Sequence, residues 1–216
     1  MGRRQCPRGS ATSPVPDWKW LSIVIPEKTG PASAHQQVLD RVVDALLEQA
    51  KSPVHLIRAP WPLSSDDPGI GDDVHRALLA DDWADSGMRA NQLKKLIEVQ
   101  VVARKRQYSA EHSGGRDVGI QVDGDVVGRL LLDLDDDTVP AESAPITLVD
   151  IAVHPERQRQ GIGGEVLRAL LATAAATDRS VELSALFGTP ALRWYQGMGF
   201  VDTGGDALYR RLAWKA

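Results

Sequence analysis

Gln158-Arg159-Gln160-Gly161-Ile162-Gly163-Gly164 is a glycine-rich turn set between a run patterned as a strand and a run patterned as a helix. Upstream, Ile146 to Val153 (ITLVDIAV) is apolar and β-branched. Downstream, Glu165 to Ala175 (EVLRALLATAA) places Val166, Leu170 and Ala174 on one helical stripe. The first turn of a helix leaves its backbone N–H groups without intrahelical partners, at the positive end of the helix macrodipole. Such a turn takes phosphate, and glycine lets the backbone approach the anion and adopt positive φ.

Composition bounds the rest. A chain of 216 residues can bury one substantial core, so one domain with an appendage is expected. Twenty-five Lys plus Arg against 29 Asp plus Glu give a formal charge of −4, which argues against a general nucleic-acid-binding role. The single cysteine, Cys6, excludes an intrachain disulfide framework and fits a reducing compartment. No apolar run reaches membrane-spanning length, and no hydrophobic core follows Arg3, Arg4 and Arg8, so neither a membrane span nor a secretory signal is expected. The expectation is a soluble cytoplasmic protein.

Residues 1–17 carry no periodic apolar pattern and are expected as a disordered tail, the alternative being a basic arm for an acidic partner. Residues 18–52 form an expected N-terminal extension. Trp20 to Ile25 reads as a strand; Ser33 and Gln36 then form a capping box ahead of Leu39, Val42, Val43, Leu46 and Leu47 at helical spacing. The main domain is expected over 53–216. Pro53 to Ala59 reads as a strand, and Trp61 follows in a proline- and glycine-rich loop, either bordering a binding site or pinning a connection. Asp72 to Trp83 and Gln92 to Glu111 read as helices. Arg104, Lys105 and Arg106 lie towards the end of the second and are expected to complement its dipole, with phosphate binding as a secondary reading.

Asp117 to Val122 alternates Val118, Ile120 and Val122 on one face, Asp123-Gly124 supplies a type I′ turn, and Val126 to Leu134 returns with Leu130 and Leu132. Asp133 and Asp135 to Asp137 then form an acidic cluster, read either as a rim attracting a cationic amine or as a solvated turn. Beyond the glycine turn, Val181 to Leu186 alternates as a strand. Thr189-Pro190 is a strong helix start, the helix stops at Gly197-Met198-Gly199, and Ala207 to Trp214 closes the chain as a strand.

The run LVDIAVHPERQRQGIGGEVLRALL, followed by PALRWYQGMGF, resembles the GNAT superfamily of acyl-CoA-dependent N-acyltransferases. Gln158, Gly161 and Gly163 match its Q/R-x-x-G-x-G/A motif, and Tyr195, Gly199 and Phe200 match its Y-x-x-x-G-F motif. The hairpin VDGDVVGRLLLDL is similar to its second and third strands. The resemblance covers roughly Gln92 to Trp214, and its motifs are specific jointly rather than singly. It implies an α/β fold of α+β type: a central mixed, mostly antiparallel sheet with splayed strands 4 and 5, flanked by helices.

The resemblance also implies a donor site for acetyl-CoA and no metal. Ile151 and Val153 would be backbone partners of the pantetheine arm. Gln158, Arg159, Gln160, Gly161, Gly163 and Gly164 would line the pyrophosphate. Thr189 stands where many members carry asparagine, so that residue's contact to the cofactor arm or the strand backbone would be either lost or made by the shorter hydroxyl. The implied reaction is direct attack of an amine on the thioester, with Tyr195 as general acid to the departing thiolate; the plainer reading packs Tyr195 beside Trp194. For the base, Asp150 leads, because a carboxylate inside an apolar strand needs a reason to be there. That reason is either catalysis or backbone N–H bonds accepted at a bulge. Glu182 and His154 are further candidates.

A non-catalytic acyl-CoA sensor or interaction module on the same fold is the alternative. A dinucleotide fingerprint fits less well, since Val166 holds the third glycine position. The acceptor amine stays open, and an exposed strand at Trp18 to Ile25 would invite pairing as a homodimer.

Overall fold

The computed structural model describes residues 33–50, 53–59, 69, 71–134 and 138–216. The expected tail, the Trp20 to Ile25 strand, the loop around Trp61 and Asp135 to Asp137 lie outside the described residues.

The capping box forms as the sequence predicts. Ser33 Oγ accepts from the Gln36 N–H and Gln36 Oε1 accepts from the Ser33 N–H, opening helix α1, Ala34–Gln49, whose Val38, Leu39, Val42, Val43 and Leu46 are buried. Strand β1 (Val54–Arg58) follows, then α2 (Asp72–Asp82) and α3 (Ala90–Glu111). Next come β2 (Arg116–Val122), β3 (Asp125–Asp133) and β4 (Ile146–Val153), then α4 (Ile162–Ala176), β5 (Val181–Leu186), α5 (Pro190–Gly197), β6 (Val201–Gly205) and β7 (Tyr209–Trp214). Asp123 and Gly124 both take positive φ between β2 and β3, the primed turn that matches strand twist.

The strands form one sheet in the order β1-β2-β3-β4-β5-β7-β6, with β4 and β5 parallel and every other pair antiparallel. This is the mixed, mostly antiparallel sheet expected. β4 and β5 pair only through Ile146 with Val181 and Thr147 with Glu182, so from Leu148 onward the two strands diverge. A register shift opposite Leu131 and Leu132 leaves one extra residue in β4 between Leu148 and Asp150, a bulge in the middle of the strand.

The two faces of the sheet differ in chemistry. One carries Val118, Ile120, Val122, Leu130, Leu132, Ile146 and Leu148 against the buried faces of α1 and α4, a continuous apolar core. Burial of that core is the main stabilising term. The opposite face, under α2 and α3, carries the buried polar side chains Asp117, Arg129, Asp133 and Asp150.

α1 is joined to the sheet by charge as well. Arg116 of β2 holds both oxygens of Asp40 at 2.7 and 2.9 Å, a bidentate pair.

Candidate active site

The glycine turn joins β4 to α4. A 3₁₀ turn at Pro155–Arg157 leads into it, and Gly161 caps α4 with φ +86. Nothing lies within 4 Å of a Cβ built on Gly161, so glycine is required there for its backbone angle and not for want of room. Arg159 also takes positive φ, +61, a strained angle for a residue with a side chain. None of the backbone N–H groups from Arg159 to Gly164 donates to another described residue. These donors converge on one helix N-terminus, an anion site by construction. The side chains of Gln158 and Gln160 fold back onto the Val153 and Glu156 carbonyls at 3.0 Å, bracing the turn from within.

The phase of β4 decides which of its backbone groups face the opening. His154 N–H donates to the Val127 carbonyl at 2.8 Å, which makes Gly128 and Val153 a non-hydrogen-bonded pair. Two residues back, Leu130 and Ile151 are the same type of pair. The N–H and C=O groups of Ile151 and Val153 therefore point away from β3, to the side where β5 has left. An extended amide chain laid there meets a strand edge whose Ile151 N–H and C=O and Val153 N–H have no partner among the described residues, the Val153 carbonyl being held by Gln158 Nε2.

Across the opening stands α5. Thr189 caps it, accepting from the Leu192 N–H at 3.3 Å and donating to the Leu186 carbonyl at 2.8 Å, so its hydroxyl ties the helix to the end of β5. Tyr195 is half-buried among Trp194 and Phe200, with ring centroids 4.9 and 5.7 Å away. Its hydroxyl makes no hydrogen bond to another described residue. Burial, and then the charge of Asp150, push its phenol pKa well up.

Asp150 does not accept backbone bonds at the bulge. Both its oxygens are taken by side chains: His75 Nε2 lies 3.1 Å from Oδ2, Arg104 Nη2 lies 3.1 Å from Oδ1, and Arg129 stands at 3.9 Å. Burial alone would push this carboxyl up. The hydrogen bond from His75 and the charges of Arg104, His75 and Arg129 outweigh it and hold Asp150 below the ordinary carboxylate range. An ionised carboxylate only accepts, so His75 presents Nε2–H to it. Behind them Arg129 gives two bonds, 3.0 and 3.1 Å, to the fully buried Asp117, and Gly71 makes room for the arginine stem, whose Cδ a Cβ at that position would strike.

Several expected assignments change. Arg104 and Lys105 do not serve the α3 dipole, because the helix runs on to Glu111 and buried carboxylates recruit them inward, Arg104 to Asp150 and Lys105 to Asp72. Asp133 is no rim residue: it is buried, with its carboxylate on the His112 ring and the Leu134 N–H. Of the other base candidates, His154 caps the 3₁₀ turn, and Glu182 sits at the closed end of the opening, where β4 and β5 still pair.

The family model of an acetyltransferase (GNAT) domain matches residues 114–202, a span that holds β2 to β5, the glycine turn, α5 and Tyr195. Over that span the chain is similar to GNAT acetyltransferase domains. Solved structures agree on the fold. PaiA N-acetyltransferase from Thermoplasma acidophilum, determined in complex with coenzyme A, is 16% identical with a TM-score of 0.50, covering 76% of this chain and 99% of that one. An acetyltransferase from Thermus thermophilus is 20% identical with a TM-score of 0.51, covering 74% and 97%. PH1933 from Pyrococcus horikoshii OT3 is 14% identical with a TM-score of 0.52, covering 76% and 98%. No curated protein sequence matches the chain.

His75, Tyr108, Asp117 and Arg129 join the site without having stood out in the sequence. The signal for two of them was present. Arg129 and Asp117 are charges inside apolar strands, the same oddity that singled out Asp150, and three such residues on neighbouring strands announce a buried network.

Proposed function

We propose that this GNAT-like domain transfers an acetyl group from acetyl-CoA to a primary amine by direct attack within a ternary complex. The observation that carries the reading is the alignment of three features along one opening, each without a partner among the described residues: the N–H groups of the glycine turn, the Ile151 backbone groups with the Val153 N–H, and the Tyr195 hydroxyl. The turn receives the pyrophosphate, with Arg159 adding charge; the strand edge receives the pantetheine amides; the thioester then lies between β4 and α5. Complexes such as that of the Thermoplasma acidophilum protein with coenzyme A support a donor of this type.

In this reading the amine nitrogen bonds to the thioester carbonyl carbon, the carbon–sulfur bond breaks, and the sulfur takes a proton from Tyr195 as the amine gives one up. Tyr195 suits the task because its raised pKa keeps it protonated. Asp150 is a positioning residue and not the base, since donors from His75 and Arg104 already hold its oxygens and keep its proton affinity low. The acceptor then enters as free amine, and its proton leaves to solvent.

Initial rates over a grid of acetyl-CoA and amine concentrations test direct transfer. Intersecting reciprocal lines are expected. Parallel lines would mean a covalent acyl-enzyme and overturn it.

A further inference from the structure

We infer that Arg104 reads a carboxylate carried by the acceptor a few bonds from its amine, so that the substrates are amino acids rather than simple amines or polyamines. The inference rests on the acyl-transfer reading of the same opening and names the acceptor class it leaves open.

Three cationic or potentially cationic side chains meet around Asp150, and two are buried and fully directed inward. The His75 side chain is 3% exposed and gives Nε2 to Asp150; the Arg129 side chain is 5% exposed and gives two bonds to Asp117. Arg104 differs. Its side chain is 39% exposed while the Asp150 it holds is 9% exposed, so it forms the outer wall of the cluster. Nε donates to the Tyr108 hydroxyl at 2.9 Å and Nη2 to Asp150 at 3.1 Å, and Nη1 donates to no other described residue. Its Cζ lies 5.3 Å from the Tyr108 ring centre, so the guanidinium is fixed on two sides with a donor edge left outward. A guanidinium held in place this way pairs with a planar anion without first losing rotamer freedom.

The charge balance excludes the opposite preference. Asp150 is answered by His75 and Arg104, and Asp117 by Arg129. Among the described residues of this cluster, no carboxylate is left to hold the second ammonium of a polyamine. Asp150 stands in β4 beside Ile151, past the point where β5 leaves, so the Arg104 that holds it borders the same stretch of the opening.

The test uses the full chain, acetyl-CoA and acceptors paired so that they differ by the carboxylate alone: alanine with ethylamine, leucine with isoamylamine, phenylalanine with phenethylamine, and spermidine beside them. CoA thiol release gives kcat/KM for each. Wild type should favour the carboxylate-bearing member of at least one pair by about tenfold or more, the scale of a charged hydrogen bond. In Arg104→Met the ratio should fall to near unity while acetyl-CoA KM is unchanged, and Arg104→Lys should keep part of it. Plain amines or spermidine used as well as the amino acids, or a preference surviving in Arg104→Met, would overturn the inference and leave acyl transfer standing. No release with any amine would remove both.

Discussion

Tyr195 has the two properties that a proton donor to sulfur needs, a hydroxyl with no other described bond and a proton it does not lose near neutrality. Tyr195→Phe should therefore lower kcat by about a hundredfold, a usual scale for a general acid, with acetyl-CoA affinity little changed. Unchanged turnover would return the ring to a packing role. Because burial and the Asp150 charge raise the phenol pKa, the rate profile should show no fall from tyrosine ionisation below about pH 10. A descending limb at lower pH that disappears in Tyr195→Phe would contradict this.

Asp150 gives the opposite sign. Its folded pKa lies below the unfolded value, so the stability it contributes is fully present above the ordinary carboxylate pKa and is lost as pH falls through the depressed one. Asp150→Asn should cost roughly 3–5 kcal/mol in urea unfolding at neutral pH, because it leaves His75 and Arg104 facing a neutral group. The gap to wild type should hold down to about pH 4 and then narrow. The rise of kcat/KM with pH, set by the acceptor amine, should survive in this variant. Its loss would restore Asp150 as the base.

At the scale of elements, the proposed donor site rests on the turn into α4 and the phase of β4. Gly161→Ala places a Cβ at φ +86 and should cost about 1–2 kcal/mol of local strain, weakening CoA binding tenfold or so in a calorimetric titration. Binding at wild-type strength would remove the turn from the donor site. These elements were legible in the sequence because local chemistry dictates them: β-branched runs make strands, glycine permits the turn, and Thr189-Pro190 starts α5. The hairpin was legible for the same reason, since Asp123-Gly124 pins its register. What stayed hidden was tertiary. That Arg104 faces Asp150 depends on how α3 lies across β4, and helical spacing alone does not say whether a basic residue meets a buried carboxylate or water.

At the scale of the molecule, the sheet separates two tasks. Its apolar face under α1 and α4 holds the fold, and its charged face under α2 and α3 borders the opening. α1 belongs to the first task, for Leu46 is fully buried in the shared core. Leu46→Ala should destabilise the chain by about 2–5 kcal/mol in urea unfolding, through a cavity beneath α4. A loss under about 1 kcal/mol would show α1 to be an appendage. The charged face escaped a reading built on hydrophobic periodicity because its residues break that periodicity, and only partners from other elements make sense of them. The central claim, that this opening joins acetyl-CoA to an amine, is tested most directly by amine-dependent release of CoA thiol from acetyl-CoA. Release above background hydrolysis, saturating in both substrates and yielding the N-acetylated amine, is the predicted result; tight CoA binding with no amine-dependent release across a diverse panel would contradict it and leave a binding module on the same fold.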